Sequence, residues 1–134
     1  MTVGSLSLRT KSVIALKAWR SFLRVQTDLR RMPLPRLVSE LGRGAAPPSG
    51  LSPTRLGVVV QKALTVGPVQ PRCLISALVL YDLLRREGRE PALVIGLPDS
   101  PATKDAHAWV ELDGADVGPP PGRGTHQELA RYGT

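Results

Sequence analysis

The stretch Cys73-Leu74-Ile75-Ser76-Ala77-Leu78-Val79-Leu80-Tyr81-Asp82-Leu83-Leu84-Arg85-Arg86-Glu87-Gly88 decides how this chain folds. Its first two turns are apolar almost all round, which is the pattern of a central, buried helix. Arg85 and Arg86 suit the negative C-terminal end of such a helix, and Gly88 suits the position just past it. Pro71 stands before the helix, and Ala92 to Leu97 follows it as a short apolar strand pattern. Residues 98–104 read as a loop. Ala106 to Leu112 then alternates small or apolar with polar residues, a second strand. Asp113-Gly114 is a strong hairpin signal, so Ala115 to Gly118 returns antiparallel. The tail past Pro119-Pro120-Pro121 reads as extended, with a weak helical turn near His126 to Arg131.

Upstream of this block the chain is helical. From Arg9 to Arg31, Val13, Leu16, Trp19, Phe22, Leu23 and Leu29 recur at spacings of three and four, opposite Arg and Lys. This predicts an amphipathic helix. Pro33 and Pro35 interrupt it. Leu34, Leu37, Val38 and Leu41 fit a short second helix that stops at Gly42. Residues 42–52 have the composition of a linker. Ser52 as N-cap and Pro53 in the first turn start a third helix, with Leu56, Val59, Val60 and Ala63 facing inward. The chain thus divides into a basic helical arm, residues 1–42, and a compact part, residues 53–134. Helices followed by a small antiparallel sheet make an α+β plan, with the helix begun by Cys73 at its centre.

At 134 residues and 42 % hydrophobic content, this is a globular chain able to bury its own core. Aromatic residues make up only 4 %, too few for a base-stacking RNA surface. Residues 1–62 carry eleven Lys and Arg against two acids, a net +9, whereas residues 63–134 carry a net −2. The basic half suits an acidic peptide, nucleic acid or an anionic membrane surface, and equally a solvated basic helix face. The apolar face of the first helix argues against nucleic acid. Trp19 and Phe22 opposite Arg and Lys leave peripheral membrane contact open. A single cysteine cannot form an internal disulfide, and nothing has zinc-ligand spacing. The first apolar stretch is broken by Lys17 and Arg20, so no secretory signal or membrane span is read, and a cytoplasmic location is expected. There is no phosphate-binding Gly loop, so no cofactor or metal is implied.

Cys73 and His107 are the candidate chemistry. A helix N-terminus carries about half a positive charge, which favours the thiolate, the form of cysteine that attacks. Backbone N–H groups there can serve an oxyanion. A histidine on a neighbouring strand can take the thiol proton and later deliver it to a leaving amine. Each residue alone also has a plain structural reading, a small buried hydrophobe for Cys73 and a satisfied core histidine for His107. Trp109 shares a strand face with His107 and can pack over the imidazole, and Glu111 continues that face. Gln70, three residues before Cys73, can donate to an oxyanion or simply be solvated.

The cysteine-led helix ending Leu-Leu-Arg-Arg-Glu-Gly, then Ala-Leu-Val-Ile-Gly-Leu, then Ala-His-Ala-Trp-Val-Glu-Leu-Asp-Gly resembles the stand-alone leader peptidase of lasso-peptide biosynthesis, the lasso B protein. The resemblance is dense from Pro71 to Gly118 and looser in the N-terminal helices. It implies a transglutaminase-like, papain-like core and a Cys-His-Asp protease that removes the leader from a ribosomally made precursor. It also implies two partners beside that leader peptide: a small leader-recognition protein and an ATP-dependent lasso cyclase. Cys73 matches the nucleophile and His107 the base. Relatives often place an acid twelve residues after the histidine, where this chain has Pro119. Asp116 on the return strand is the first substitute, ahead of Asp113, Glu128 and Asp105, and a Cys-His dyad is the other option. A noncatalytic scaffold of the same fold, binding the precursor or the cyclase, is the competing expectation.

Overall fold

Prolines and glycines set the element boundaries. The computed structural model describes residues 8–42, 52–65, 73–97, 107–118 and 127–133. They form α1 (Leu8–Leu29), α2 (Leu34–Glu40), α3 (Pro53–Leu64), α4 (Cys73–Arg86), β1 (Ala92–Leu97), β2 (His107–Leu112), β3 (Ala115–Gly118) and β4 (Gln127–Gly133). Ser52 caps α3, its side chain accepting a hydrogen bond from the Arg55 N–H at 3.3 Å. Past α4, Gly88 takes φ +85°, the Gly88 N–H reaches the Arg85 carbonyl at 3.0 Å and the Arg89 N–H the Leu84 carbonyl at 3.1 Å. This paired closure satisfies two of the carbonyls that a helix end leaves over. Asp113 (φ 54°) and Gly114 (φ 79°) both sit in the left-handed region, the requirement of a tight two-residue hairpin between β2 and β3.

The four strands form one antiparallel sheet in the order β3-β2-β1-β4. The helical turn expected near residues 126–131 is replaced by β4, which pairs along the whole of β1. Backbone pairing with an otherwise open edge of β1 outweighs a weak local helix preference. Two strands carry an extra residue. In β4 it is Leu129, between the Ile95↔Ala130 and Gly96↔Glu128 pairs. In β3 it is Val117, between the Val110↔Gly118 and Glu111↔Asp116 pairs. The Val117 bulge brings its carbonyl against Gly57 of α3, where any Cβ would collide with it.

One hydrophobic core joins all four helices to one face of the sheet: Leu93, Ala108, Val110, Leu112 and Val117 pack with Phe22, Val25, Leu37, Leu56, Leu78 and Leu84. Helices α1 and α2, from the segment before residue 43, therefore bury their side chains in the same core as α3 and α4. The buried face of α1 is Ile14, Ala18, Phe22 and Val25, while Val13, Leu16 and Leu23 of the expected stripe are exposed. Trp19 is fixed beside the core, its Nε1–H donating to the Ala63 carbonyl at 3.0 Å and its ring edge-on to Phe22. Asp82 is the buried polar anchor of this layer. Its carboxylate accepts from the Ser21 hydroxyl (2.8 Å), the Gly42 N–H (2.7 Å) and the Arg86 Nε–H (3.1 Å), so α4 is tied to α1 and to the end of α2. A buried carboxylate is tolerated only with such full satisfaction. No helix among the described residues is long and apolar enough to cross a membrane.

Candidate active site

The candidate residues are spread over four elements and a turn: Cys73 begins α4, His107, Trp109 and Glu111 lie on β2, Asp116 on β3, Glu128 on β4, and Asp113 in the turn between β2 and β3. Cys73 is the first residue of α4. Its backbone stands in the terminal turn, where the helix leaves N–H groups unpaired and favours an anion. The Cys73 side chain and the whole of Gln70 lie outside the described residues, as do Asp105 and Pro119.

His107 is the first residue of β2 and pairs with Gly96. It is half-buried, and its Nδ1 is fully shielded from solvent. Strand alternation puts His107, Trp109 and Glu111 on one face and Ala108, Val110 and Leu112 on the other. The second set meets the helices. On the first face Trp109 forms a separate buried cluster with Ala92 and Val94. Its ring is completely buried and leans across Gly96 toward the His107–Gly96 pair: a Cβ on Gly96 would stand 2.7 Å from the edge of the six-membered ring. Gly96 is thus required for close approach of the indole.

The other edge of the indole is held by a carboxylate. Trp109 Nε1–H donates to Glu111 Oε2 at 2.9 Å, and Glu111 Oε1 accepts from Arg131 Nη2 at 2.8 Å. Arg131 also binds Glu128 Oε1 at 2.7 Å. Hydrogen bonding to Glu128 first, then to Glu111, raises the Arg131 guanidinium above its already high range, so it stays charged throughout. The chain Trp109–Glu111–Arg131–Glu128 crosses β2 to β4 over β1 and pins the indole beside His107. Glu111 was visible in the sequence as a polar residue on the His107 face. Arg131 carried no such signal, because its position depends on β4 joining the sheet.

Asp116 stands opposite Glu111, four residues along β2 from His107. At strand spacing that is about 13 Å. Asp116 is exposed, and its Oδ1 accepts from the Gly118 N–H at 3.0 Å, a local contact across the Val117 bulge of β3. Asp113 occupies the hairpin turn. Glu128 serves Arg131. The described residues therefore bring Trp109 and Glu111 together with His107 on one face, and set Asp116 toward the far end of the hairpin. Among these residues no cluster of three or more His, Cys, Asp or Glu has the arrangement to hold a metal ion.

A buried central helix opening on a cysteine, packed against an antiparallel sheet whose second strand opens on a histidine, defines the class as α+β with its candidate thiol and imidazole at element starts. The chain belongs to the transglutaminase-like superfamily, whose family model matches residues 17–131. That span takes in the later part of α1, the whole of α2, α3 and α4, and both candidate residues, Cys73 and His107. No curated protein and no solved structure matches the chain.

Proposed function

We propose that this protein is a cysteine peptidase that removes the leader from a lasso precursor peptide. The observation that carries the reading is the family match across residues 17–131, with Cys73 at the first position of α4 and His107 at the first position of β2. In the proposed reaction His107 takes the Cys73 thiol proton, and the thiolate attacks the scissile carbonyl. Backbone N–H groups at the start of α4 receive the oxyanion. His107 then protonates the leaving amine, and water attacks the thioester to release the leader carboxylate and regenerate the thiol. Trp109, pinned by Glu111, keeps bulk water off one side of the imidazole. Asp116 is tied to Gly118 and stands four residues from His107, which favours a Cys-His dyad over a triad completed by Asp116. The proposed partners are the leader peptide, a leader-recognition protein and the ATP-dependent cyclase that takes the freed core peptide.

The test is a cleavage assay on a precursor peptide with the recognition protein present, read by mass. Wild type is expected to cut at the leader–core junction, and Cys73→Ala and His107→Ala to leave the precursor whole. Precursor bound but uncut by the wild type would overturn the peptidase and favour the scaffold.

A further inference from the structure

Between α1 and α4 lies a pocket of about 340 Å³, lined by Lys17, Arg20, Ser21, Arg24, Asp82, Leu83 and Arg86. Four cations converge on it and one acid. That acid, Asp82, is already saturated by Ser21, Gly42 and Arg86. Arg24 has Asp28 at 3.7 Å. Lys17 and Arg20 have no acidic partner among the described residues. Concentrating unpaired positive charge in a concavity is unfavourable unless an anion relieves it.

The rim shows which anion. At 100° per residue, Leu16 and Leu23 stand next to Arg20 on the outer side of α1, and Val13 stands just above it. They are 64 %, 60 % and 45 % exposed. A phosphodiester backbone would leave these apolar side chains unused. A bilayer is flat and cannot reach into a concavity, and the aromatic residues that would anchor α1 in one, Trp19 and Phe22, are committed to the interior. A polypeptide carrying carboxylates beside aliphatic residues satisfies both parts. The site also lies away from the chemistry, since Asp82 is nine residues along α4 from Cys73, half a turn around and about 13 Å along the axis.

We infer that this pocket is an exosite for an acidic, leucine-bearing polypeptide segment, whose carboxylates enter between Lys17 and Arg20 while its aliphatic residues lie on Leu16 and Leu23. The site captures a partner chain by charge and holds it apart from the thiol, so binding and cleavage are separable.

The experiment titrates full-length protein into a fluorescein-labelled peptide with Glu and Leu at helical spacing, read by anisotropy at two salt concentrations. Binding is expected, weaker at high salt. The double variant Lys17→Glu/Arg20→Glu should lose affinity about tenfold or more. Leu16→Ser/Leu23→Ser should weaken binding without changing its salt dependence. Arg30→Glu/Arg31→Glu, an equal charge change at the exposed turn beyond α1, should leave it unaltered. All of these positions are at the surface, and circular dichroism checks that each variant is folded. No binding, or an equal loss in Arg30→Glu/Arg31→Glu, would overturn the site. So would tighter binding of duplex DNA or of phosphatidylserine vesicles through the same two cations.

Discussion

The two faces of the sheet are built on different physics. One face is aliphatic: Leu93, Ala108, Val110 and Leu112 meet the helices and are held by shape and by removal from water. The other buries Trp109 and holds it by a hydrogen bond to a carboxylate, itself clamped by an arginine from a different strand. The aliphatic face tolerates volume-conserving exchange. The polar face does not, because removing one partner leaves another buried and unsatisfied. The candidate base His107 stands on the second face. The teaching is that stability and positioning are divided between the two sides of one strand.

The comparison breaks hardest at Trp109. Trp109→Ala is expected to cost about 3–5 kcal/mol in urea unfolding. It should also shift the imidazole resonances of His107, which Val110→Ala, a smaller deletion on the aliphatic face, should leave in place. Equal His107 shifts in both variants would remove the division. Glu111→Gln keeps the shape but weakens the bond to Arg131, and is expected to cost about 1–3 kcal/mol. If the network positions the site, the loss of cleavage should exceed what the lost folded fraction explains. Gly96→Ala forces the indole or the Gln127 carbonyl to move, at about 1–3 kcal/mol. A crystal structure of that variant should show the ring displaced. The smallest effect is expected at Asp116. Asp116→Ala removes the exposed bond to Gly118, itself about 0.5–1.5 kcal/mol, and should leave the pH profile of cleavage where it was. A shifted profile would make Asp116 the residue that orients His107.

Much of this was legible without a structure. The stretch from Leu74 to Leu84, apolar but for Ser76 and Asp82, names α4 as the central helix because its apolar residues fall on nearly every side. Asp113-Gly114 names the hairpin because few other pairs accept positive φ in succession. The α+β plan, the three other helices and the three strands β1 to β3 follow from the same local rules. Helix α1 shows where local rules stop. It carries two apolar stripes, Val13-Leu16-Leu23 and Ile14-Ala18-Val25, and periodicity cannot say which is buried. Packing against α3 and α4 chose the second and left the first beside the cationic pocket.

The sequence alone determined the elements from α1 to β3, their order and the identities of the candidate thiol and imidazole, since capping, turn chemistry and hydrophobic period act within a few residues. Only the tertiary structure decided that the tail becomes β4 and that Arg131 clamps Glu111. It also decided that Asp82 anchors three helices and that Asp116 stands opposite Glu111 and not His107. Each of these depends on which strand or helix lies alongside, a contact between residues far apart in the chain that no local preference encodes.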